Sequence, residues 1–267
     1  MNSDLLGKII FTIVLGIIAG ISAYKLKLLT KSGAIAASVL AVFLFGFGGL
    51  KWLLPMMVFF ILSSLLSKLR EKVNPRVETF FEKSGTRDYM QVMVNGGAGG
   101  VLVIISIFYE SYLIYLAYIG LLSVVCSDTW ATEFGTLLKV KTYNIINFKP
   151  AEQGISGGVS LLGFIGSIFG PAVIAPTAHK WVGGDLVEFI MIVIFIGLLG
   201  NLFDSIMGSL FQAKYECIIC GRVTENKLHC NAVTISISGI RWLNNDLVNL
   251  IAGLSGSVLI ILFHKLL

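Results

Sequence analysis

Apolar residues run through the chain in eight stretches, and a short polar segment separates each stretch from the next. Each stretch is about 17 to 25 residues long, which is the length that an α-helix needs to cross the hydrocarbon core of a bilayer. The predicted spans are 5–24, 33–50, 52–68, 90–109, 112–135, 157–178, 186–213 and 244–264. The pattern therefore predicts an all-α, polytopic integral membrane protein with about eight transmembrane helices.

The composition is typical of a membrane protein. Of the 267 residues, 56% are hydrophobic and 13% are charged, whereas soluble domains are about a quarter charged. Because no polar stretch is long enough for a second domain, residues 1–267 are predicted to form a single integral-membrane domain with a cytoplasmic Cys/His loop at 214–231. We interpret the net charge of +5 as a topology signal. Membrane lipids, and not nucleic acid, are the expected partners.

The basic residues are distributed unevenly between the two sides of the predicted bundle. Every Lys and Arg lies in or beside a loop that follows an odd-numbered span, except Lys8, Lys51, Lys180 and Lys265. Because positive charge is enriched in cytoplasmic loops, these odd-numbered loops are predicted to be cytoplasmic. Both termini then lie on the non-cytoplasmic side of the cell membrane.

Acidic side chains occur inside the predicted spans, close to their cytoplasmic ends. Asp128, Glu133 and Asp204 would each cost about 2.5 to 3.5 kcal/mol at the bilayer centre, and few basic residues fall inside the spans to neutralise them. A divalent cation would do so, and oxygen ligands suit Mg²⁺. We interpret the three acids as catalytic residues and Mg²⁺ ligands. The nearby polar residues are candidates for binding nucleotide or substrate: Asn95, Thr129, Thr132, Asn201, Ser205, Asn245 and Asp246.

The alternative interpretation of these polar residues is structural. Hydroxyl and amide groups often bond one membrane helix to another, and Asn245 or its neighbour Asn244 could cap the last helix while Asp246 favours its dipole.

Two glycine-rich segments, "NGGAGG" and "EQGISGGVS", are predicted to stand where a helix begins after an odd-numbered loop. Exposed N–H groups at such an end attract anions, and glycine lets a phosphate approach the backbone. The candidate phosphate-binding residues are Gly96, Gly97, Gly154, Ser156, Gly157 and Gly158, together with the nearby Lys149. Neither segment matches a Walker loop. Helix packing for the glycines, and topology alone for the lysine, are the alternatives.

The segment "YECIICGRVTENKLHC" places Cys217, Cys220, His229 and Cys230 in one loop. The spacing resembles half of a zinc ribbon or a zinc knuckle, and a cytosolic position argues against a disulfide. Adjacent residues such as His229 and Cys230 do not easily bind the same ion. The alternative ligand set is therefore the three thiolates plus another group. Reduced thiols without metal are the alternative to a structural zinc ion.

Six motifs resemble an integral-membrane family that includes transmembrane protein 19 and the plant phytyl-phosphate kinase: "LTKSGAIAA", "RDYMQVMVNGG", "SDTWATEFG", "QGISGGVS", "GNLFDSIMGSLFQ" and "LNNDLVN". The resemblance implies a kinase that converts an isoprenoid monophosphate, of the phytyl or geranylgeranyl type, into the diphosphate with a nucleoside triphosphate. A more distant likeness to phytol and dolichol kinases suggests CTP as the donor. The chain has Gly154-Ile155 where the family pattern has Gly-Thr, so a hydroxyl contact is lost there or moves to Ser156.

The sequence thus predicts a Mg²⁺-dependent lipid-phosphate kinase whose active site faces the cytoplasm. A phosphate acceptor needs little help from a base, which fits a chain whose His179 and His264 fall on the outer side. The rival hypotheses are a CTP-dependent polyprenol or lipid alcohol kinase, a nucleotidyltransferase, and a lipid-phosphate transporter. The sequence gives no indication of the oligomeric state.

Overall fold

The computed structural model describes residues 3–79 and 85–266. Within these ranges, eight helices are long and apolar enough to cross a membrane. They are α1 (Ser3–Lys25), α2 (Lys31–Gly48), α3 (Leu50–Val73), α4 (Tyr89–Phe108), α5 (Tyr112–Leu137), α6 (Leu161–Val182), α7 (Leu186–Leu210) and α8 (Asn245–Phe263). The predicted helical, polytopic fold is confirmed. Three helices have ends that differ from the prediction by more than two residues. α3 ends five residues after position 68, and α7 ends three residues before position 213. α6 begins four residues after position 157 and ends four residues after position 178.

Short antiparallel strands fill the two long loops. β1 (Thr142–Asn144), β2 (Pro150–Ala151) and β3 (Gly158–Val159) follow α5 and pair in the order β2-β1-β3. After α7 come β4 (Lys214–Glu216), β5 (Val223–Thr224), β6 (Leu228–His229), β7 (Ala232–Val233) and β8 (Ile235–Ser238). β4 pairs with β5 and β8, and β6 pairs with β7. Single 3₁₀ turns occupy Pro75–Thr79 and His264–Leu266.

α5 is the central helix of the bundle, and it packs against α3, α4, α6, α7 and α8. Its closest neighbour is α6, which presents glycines at spacings of three and four to the α5 backbone. A Cβ atom on Gly166 would lie 2.3 Å from the carbonyl oxygen of Trp130, and one on Gly170 would lie 2.6 Å from that of Cys126. Small residues let membrane helices approach closely, so the sequence itself sets the short distance between α5 and α6.

α8 approaches α5 in the same way on another side. A Cβ atom on Gly120 would lie 2.3 Å from the carbonyl oxygen of Gly256, and the reverse distance is also 2.3 Å. One turn away, the hydroxyl of Ser257 donates to the carbonyl oxygen of Ala117 at 2.9 Å. These contacts join the first half of α5 to the second half of α8 and so set the distance between the two helices.

The "NGGAGG" segment does not begin a helix, contrary to the prediction. α4 begins at Tyr89, where Asp88 and Gln91 form a capping box, and the residues Met93–Gly97 form a π-helical turn inside it. Gly96 is buried, and a Cβ atom there would lie 2.5 Å from the Leu40 side chain. Gly96 and Gly97 therefore lie inside a hydrogen-bonded helix and cannot offer a helix N-terminus to a phosphate.

The "LTKSG" segment joins α2 to the connection before α4. Thr30 caps α2 by accepting from the Gly33 N–H, and the Thr30 N–H donates to the Arg87 carbonyl at 3.0 Å. A Cβ atom on Gly33 would lie 2.3 Å from that carbonyl oxygen. This motif therefore holds Arg87 in place.

Candidate active site

A cavity of about 460 Å³ opens at the end of the bundle where the loops after α3, α5 and α7 meet. It brings together most of the residues predicted from the sequence. The predicted residues that line it are Asn95, Asp128, Thr129, Thr132, Glu133, Gly154, Ser156, Gly157, Gly158, Asn201, Asp204, Ser205, Asn245 and Asp246. They come from four helices and one loop, so the clustering is a property of the fold and not of local sequence.

Three predicted residues do not line this cavity. Gly96 and Gly97 are held inside α4, as described above. Lys149 is exposed in the tight turn between β1 and β2, where its backbone N–H donates to Asn147 Oδ1 at 2.9 Å. Because this turn holds Lys149 outside the cavity lining, the predicted contact between its ammonium group and a phosphate is not supported.

Asp128 of α5 and Asp204 of α7 both line the cavity, and they are close enough for their charges to interact. Asp204 is 8% exposed, and the negative charges of Asp128 and Glu225 both act on it. With the Asn249 amide oriented as its neighbours require, its nitrogen donates to Asp204 Oδ2 at 3.1 Å and its oxygen accepts from Asn245 Nδ2 at 3.2 Å. The start of α8 thus supports one oxygen of Asp204.

Glu133, which was predicted as a third metal ligand, is engaged by two side chains of α3. Its Oε2 accepts from Arg70 Nε at 2.7 Å, and its Oε1 accepts from the Ser67 hydroxyl at 2.5 Å. Arg70 is 2% exposed, so it is one of the few basic residues inside the spans, and it neutralises one of the three acids. The reason is that α3 extends to Val73 and carries Arg70 into the bundle.

Arg87 provides positive charge at the cavity. The sequence analysis had expected Lys149 to provide a positive charge for phosphate. It lines the cavity, its Nη1 donates to Ser64 Oγ at 2.6 Å, and its guanidinium lies 6.0 Å from the ring centre of Phe59. Burial lowers the pKa of Arg87, and the nearby Glu133 carboxylate raises it. Because a guanidinium is not deprotonated in proteins, Arg87 brings positive charge to the cavity lining.

The donor set fits Mg²⁺, which the family resemblance implies, with two carboxylates in place of the predicted three. Among the described residues, the cavity lining holds two arginines and five acids, namely Asp128, Glu133, Asp204, Glu225 and Asp246. No three of these acids bring their oxygens within 4.8 Å of one another. Mg²⁺ is commonly bound by one or two carboxylates plus substrate phosphates, and Asp128 and Asp204 would hold it.

The glycine-rich loop before α6 forms one wall of the cavity. Gly154 and Gly157 have φ of +85° and +81°, a conformation that side chains disfavour. The Ser156 N–H donates to Glu225 Oε1 at 2.8 Å, and Ser160 caps α6 by accepting from the Gly163 N–H. This loop agrees with the prediction of a turn that leads into a helix.

The remaining wall is apolar and faces away from the bundle. It consists of Phe164 of α6 and of residues of α7, namely Phe195, Leu198, Leu199 and Leu202. Phe164 is 56% exposed and Leu202 is 47% exposed, although both belong to helices long enough to span a bilayer. The cavity therefore borders both the charged cluster and the surface that lipid would cover.

The four Cys and His residues of the loop after α7 come together as a second cluster. The ligand atoms of Cys217, Cys220, His229 and Cys230 all lie within 4.8 Å of one another. Hydrogen bonding from the Cys220 backbone lowers the pKa of the Cys217 thiol to about 6. Adjacent His229 and Cys230 both reach the cluster, because Cys230 and Asn231 have φ of +51° and +58° and turn the chain sharply.

The sequence analysis missed the roles of Arg70 and Glu225. A signal for Arg70 exists, because Ser63, Ser67 and Arg70 repeat at spacings of four and three and all are buried on one face of α3. Glu225 carries no such signal. It lies in the loop that follows β5, and the position of this loop depends on contacts with residues far away in the chain.

Comparisons with known proteins identify an integral-membrane family. The family model for integral membrane protein DUF92 matches residues 14–257. Protein PGR of Arabidopsis thaliana is 27% identical over 276 residues, which cover 94% of this chain and 94% of that protein. Protein VTE6, chloroplastic, of the same plant is 24% identical over 248 residues, which cover 89% of this chain and 67% of that protein. An uncharacterized membrane protein of Methanocaldococcus jannaschii is 27% identical over 243 residues, which cover 90% and 87%. No solved structure shows a significant match. These matches confirm the family resemblance predicted from the motifs.

Proposed function

The chain belongs to the DUF92 family of integral membrane proteins, and from this premise we propose that it is a Mg²⁺-dependent lipid-phosphate kinase. The reaction moves the terminal phosphoryl group of a nucleoside triphosphate, with CTP as a candidate, onto an isoprenoid monophosphate. An oxygen of the acceptor phosphate forms the new bond to phosphorus, the bridging P–O bond of the donor breaks, and a nucleoside diphosphate leaves.

The observation that carries this proposal is the mixed character of the cavity lining. One side carries Asp128, Asp204 and Arg87, and another is the apolar wall that includes Phe195 and Leu202. An isoprenoid phosphate has the same division, with a charged head and a hydrocarbon tail. The tail would lie along α6 and α7, and the head would meet the charged residues at the end of the bundle.

Asp128 and Asp204 would hold the metal ion, which supplies charge neutralisation between the donor phosphates and the cluster of acids. Arg87 would bind a phosphate oxygen of either substrate, because a guanidinium makes strong charge-assisted hydrogen bonds to phosphate. The loop from Gly154 to Gly158 would cover the donor phosphates. Catalysis would rest mainly on positioning and charge neutralisation, as in other phosphoryl transfers.

The acceptor chemistry also favours a phosphate over an alcohol. The second ionisation of a phosphate monoester has a pKa of about 6, so the attacking oxygen carries charge at neutral pH without a general base. Among the described residues, no histidine lines the cavity. An alcohol acceptor would need one of the carboxylates as a base.

The positive-inside pattern supports a cytoplasmic position for the cavity in the cell membrane. The cavity lies at the end of the bundle formed by the loops after α3, α5 and α7, and these loops are rich in Lys and Arg. The nucleotide would then enter from the cytoplasm, while the lipid would enter from the bilayer.

The test is to incubate the purified protein with phytyl or geranylgeranyl phosphate, Mg²⁺ and each nucleoside triphosphate in turn, and to identify the lipid products by mass spectrometry. The expected product is the diphosphate. A nucleotide-linked lipid, or a monophosphate formed from the free alcohol, would instead identify one of the rival enzymes. Failure to form any product across several prenyl lengths, with transport of lipid phosphate across vesicles, would favour a transporter.

Two variants test the roles of the aspartates. Asp128→Asn and Asp204→Asn should lower turnover by at least about 100-fold, in line with the loss of metal-ion catalysis. The matched control is Asp185→Asn, because Asp185 caps α7 through Val187 N at 2.9 Å and asparagine caps a helix equally well. Wild-type turnover in either cavity variant would refute the metal assignment.

A further inference from the structure

The Cys/His cluster has the spacing of a complete tetrahedral metal site. Zinc–thiolate and zinc–imidazole bonds of about 2.3 and 2.0 Å place sulfur and nitrogen ligands about 3.5 Å apart in a tetrahedron. His229 Nδ1 lies 3.6 Å from Cys220 Sγ and 3.3 Å from Cys230 Sγ. None of the described cysteines forms a disulfide. We propose that Cys217, Cys220, His229 and Cys230 bind one structural Zn²⁺ ion, and that this ion positions Glu225 at the cavity.

The local backbone is built to support this site. The Gly221 N–H donates to the Cys217 carbonyl at 2.9 Å, and the Cys217 N–H donates to the Arg222 carbonyl at 3.0 Å. These bonds form the tight turn that brings the two thiols of a C-x-x-C pair to one ion. The turn at Cys230 completes the ligand set from the β6–β7 hairpin. The sequence analysis left the role of His229 beside Cys230 open, and the geometry assigns both residues to the ion.

Glu225 lies on the chain segment between the two halves of the ligand set. Its neighbour Asn226 accepts from the Thr234 hydroxyl at 2.8 Å, which ties this segment to the strand after the hairpin. At the other side, Glu225 Oε1 accepts from the Ser156 N–H at 2.8 Å and its charge acts on Asp204. Zinc would close the segment at both ends, and Glu225 would thereby hold the glycine-rich loop against the cavity.

This inference does not depend on the proposed kinase activity, because zinc binding and loop protection are measured without substrate. The full-length protein is purified in detergent, and its zinc content is measured by mass spectrometry. We expect one zinc ion per chain. Replacement of the zinc by Co²⁺ should give the intense visible absorption of a tetrahedral thiolate complex.

Cys220→Ser and Cys230→Ser should each reduce bound zinc at least tenfold. Cys126→Ser is the matched control, because Cys126 is buried in α5 far from the cluster in the chain, and a serine hydroxyl can bond to the helix backbone there. Absence of zinc from a folded protein grown with added zinc would overturn the proposal. So would unchanged zinc content in both cluster variants, or a disulfide between the cluster cysteines.

Hydrogen exchange separates the positioning role of Glu225 from zinc binding itself. Glu225→Ala should keep the zinc, but the peptide that contains Ser156 should exchange about tenfold faster or more, as expected for a lost hydrogen bond to a charged acceptor. Removal of zinc by a chelator should cause the same increase and should also deprotect the hairpin. Unchanged exchange at Ser156 after zinc removal would refute the link between the ion and the cavity, whatever the activity of the protein.

Discussion

Replacing Glu133 by methionine removes one partner of an ion pair whose side chains are 3% exposed for Arg70 and 10% exposed for Glu133. The guanidinium would then be buried opposite a thioether, which is a weak acceptor. Breaking a buried pair in this way costs about 3 to 5 kcal/mol. Ser67 should contribute little to this cost, because its hydroxyl can donate instead to the Ser63 carbonyl, which lies 3.0 Å away, once the carboxylate is gone. We therefore expect Glu133→Met to lower the free energy of unfolding by about 3 to 5 kcal/mol.

Arg70→Met should cause a similar loss, because it leaves the Glu133 carboxylate buried. The double variant removes both charges and leaves two apolar side chains at the contact between α3 and α5. Exchange of a buried pair for apolar residues of similar size is often neutral or stabilising. We therefore expect the double variant to lie within about 1 kcal/mol of the wild type.

The assay is urea-induced unfolding of the four proteins in mixed detergent micelles, followed by circular dichroism, with the coupling free energy taken from the double-mutant cycle. Losses below about 1 kcal/mol in both single variants, or losses that add in the double variant, would refute the structural ion pair. Glu133 would then be available as a third metal ligand. Mg²⁺ binding to Glu133→Met provides the independent check, and we expect it to be unchanged.

Three further outcomes test the packing and the charges around the cavity. Gly256→Ala should lower the free energy of unfolding by about 1 to 3 kcal/mol through overpacking, because a Cβ atom there would lie 2.3 Å from the Gly120 carbonyl oxygen. The control in the same urea titration is Gly7→Ala, whose added Cβ atom would have nothing within 4 Å. Lys149→Ala should leave kcat/KM for both substrates unchanged, and a loss above about tenfold (about 1.4 kcal/mol) would return Lys149 to the site. Arg87→Gln should raise the KM of a phosphate-bearing substrate at least about tenfold, and an unchanged KM in a variant with wild-type thermal stability would exclude the phosphate contact.

The sequence predicted the helices well because the bilayer imposes a length and a composition on each span. It also predicted residues that line the cavity. Acids such as Asp128 and Asp204 are costly in a membrane helix, so their presence there indicates a functional role. Their convergence could be inferred because the loop charges fix which helix ends lie on the same side. Neither inference needed knowledge of which helices touch.

The errors arose where the outcome depended on contacts between distant segments. Arg70 was counted with the loop that follows α3, because hydropathy alone ends that span at position 68, whereas the ion pair with Glu133 keeps the helix intact to Val73. Gly96 was interpreted as part of an anion-binding turn, because a glycine-rich run has the same sequence in a turn and in a closely packed helix. The packing around Gly96 distinguishes the two, because an added Cβ atom would lie 2.5 Å from the Leu40 side chain and 3.2 Å from that of Met56.

The π-helical turn at Met93–Gly97 makes the spacing along α4 critical. Deleting one residue there would restore regular α-helical bonding, and the two halves of α4 would keep roughly their relative orientation, because a π-helical turn holds about one residue more than an α-helical turn. Gly99 would then keep its position against the Tyr118 ring, to which a Cβ atom would come within 2.9 Å, whereas the turn that carries Asn95 into the cavity would be lost. A shortened α4 could therefore keep its hydropathy, its caps and its packing and still displace Asn95, so residue count is as strict a requirement in this segment as residue identity.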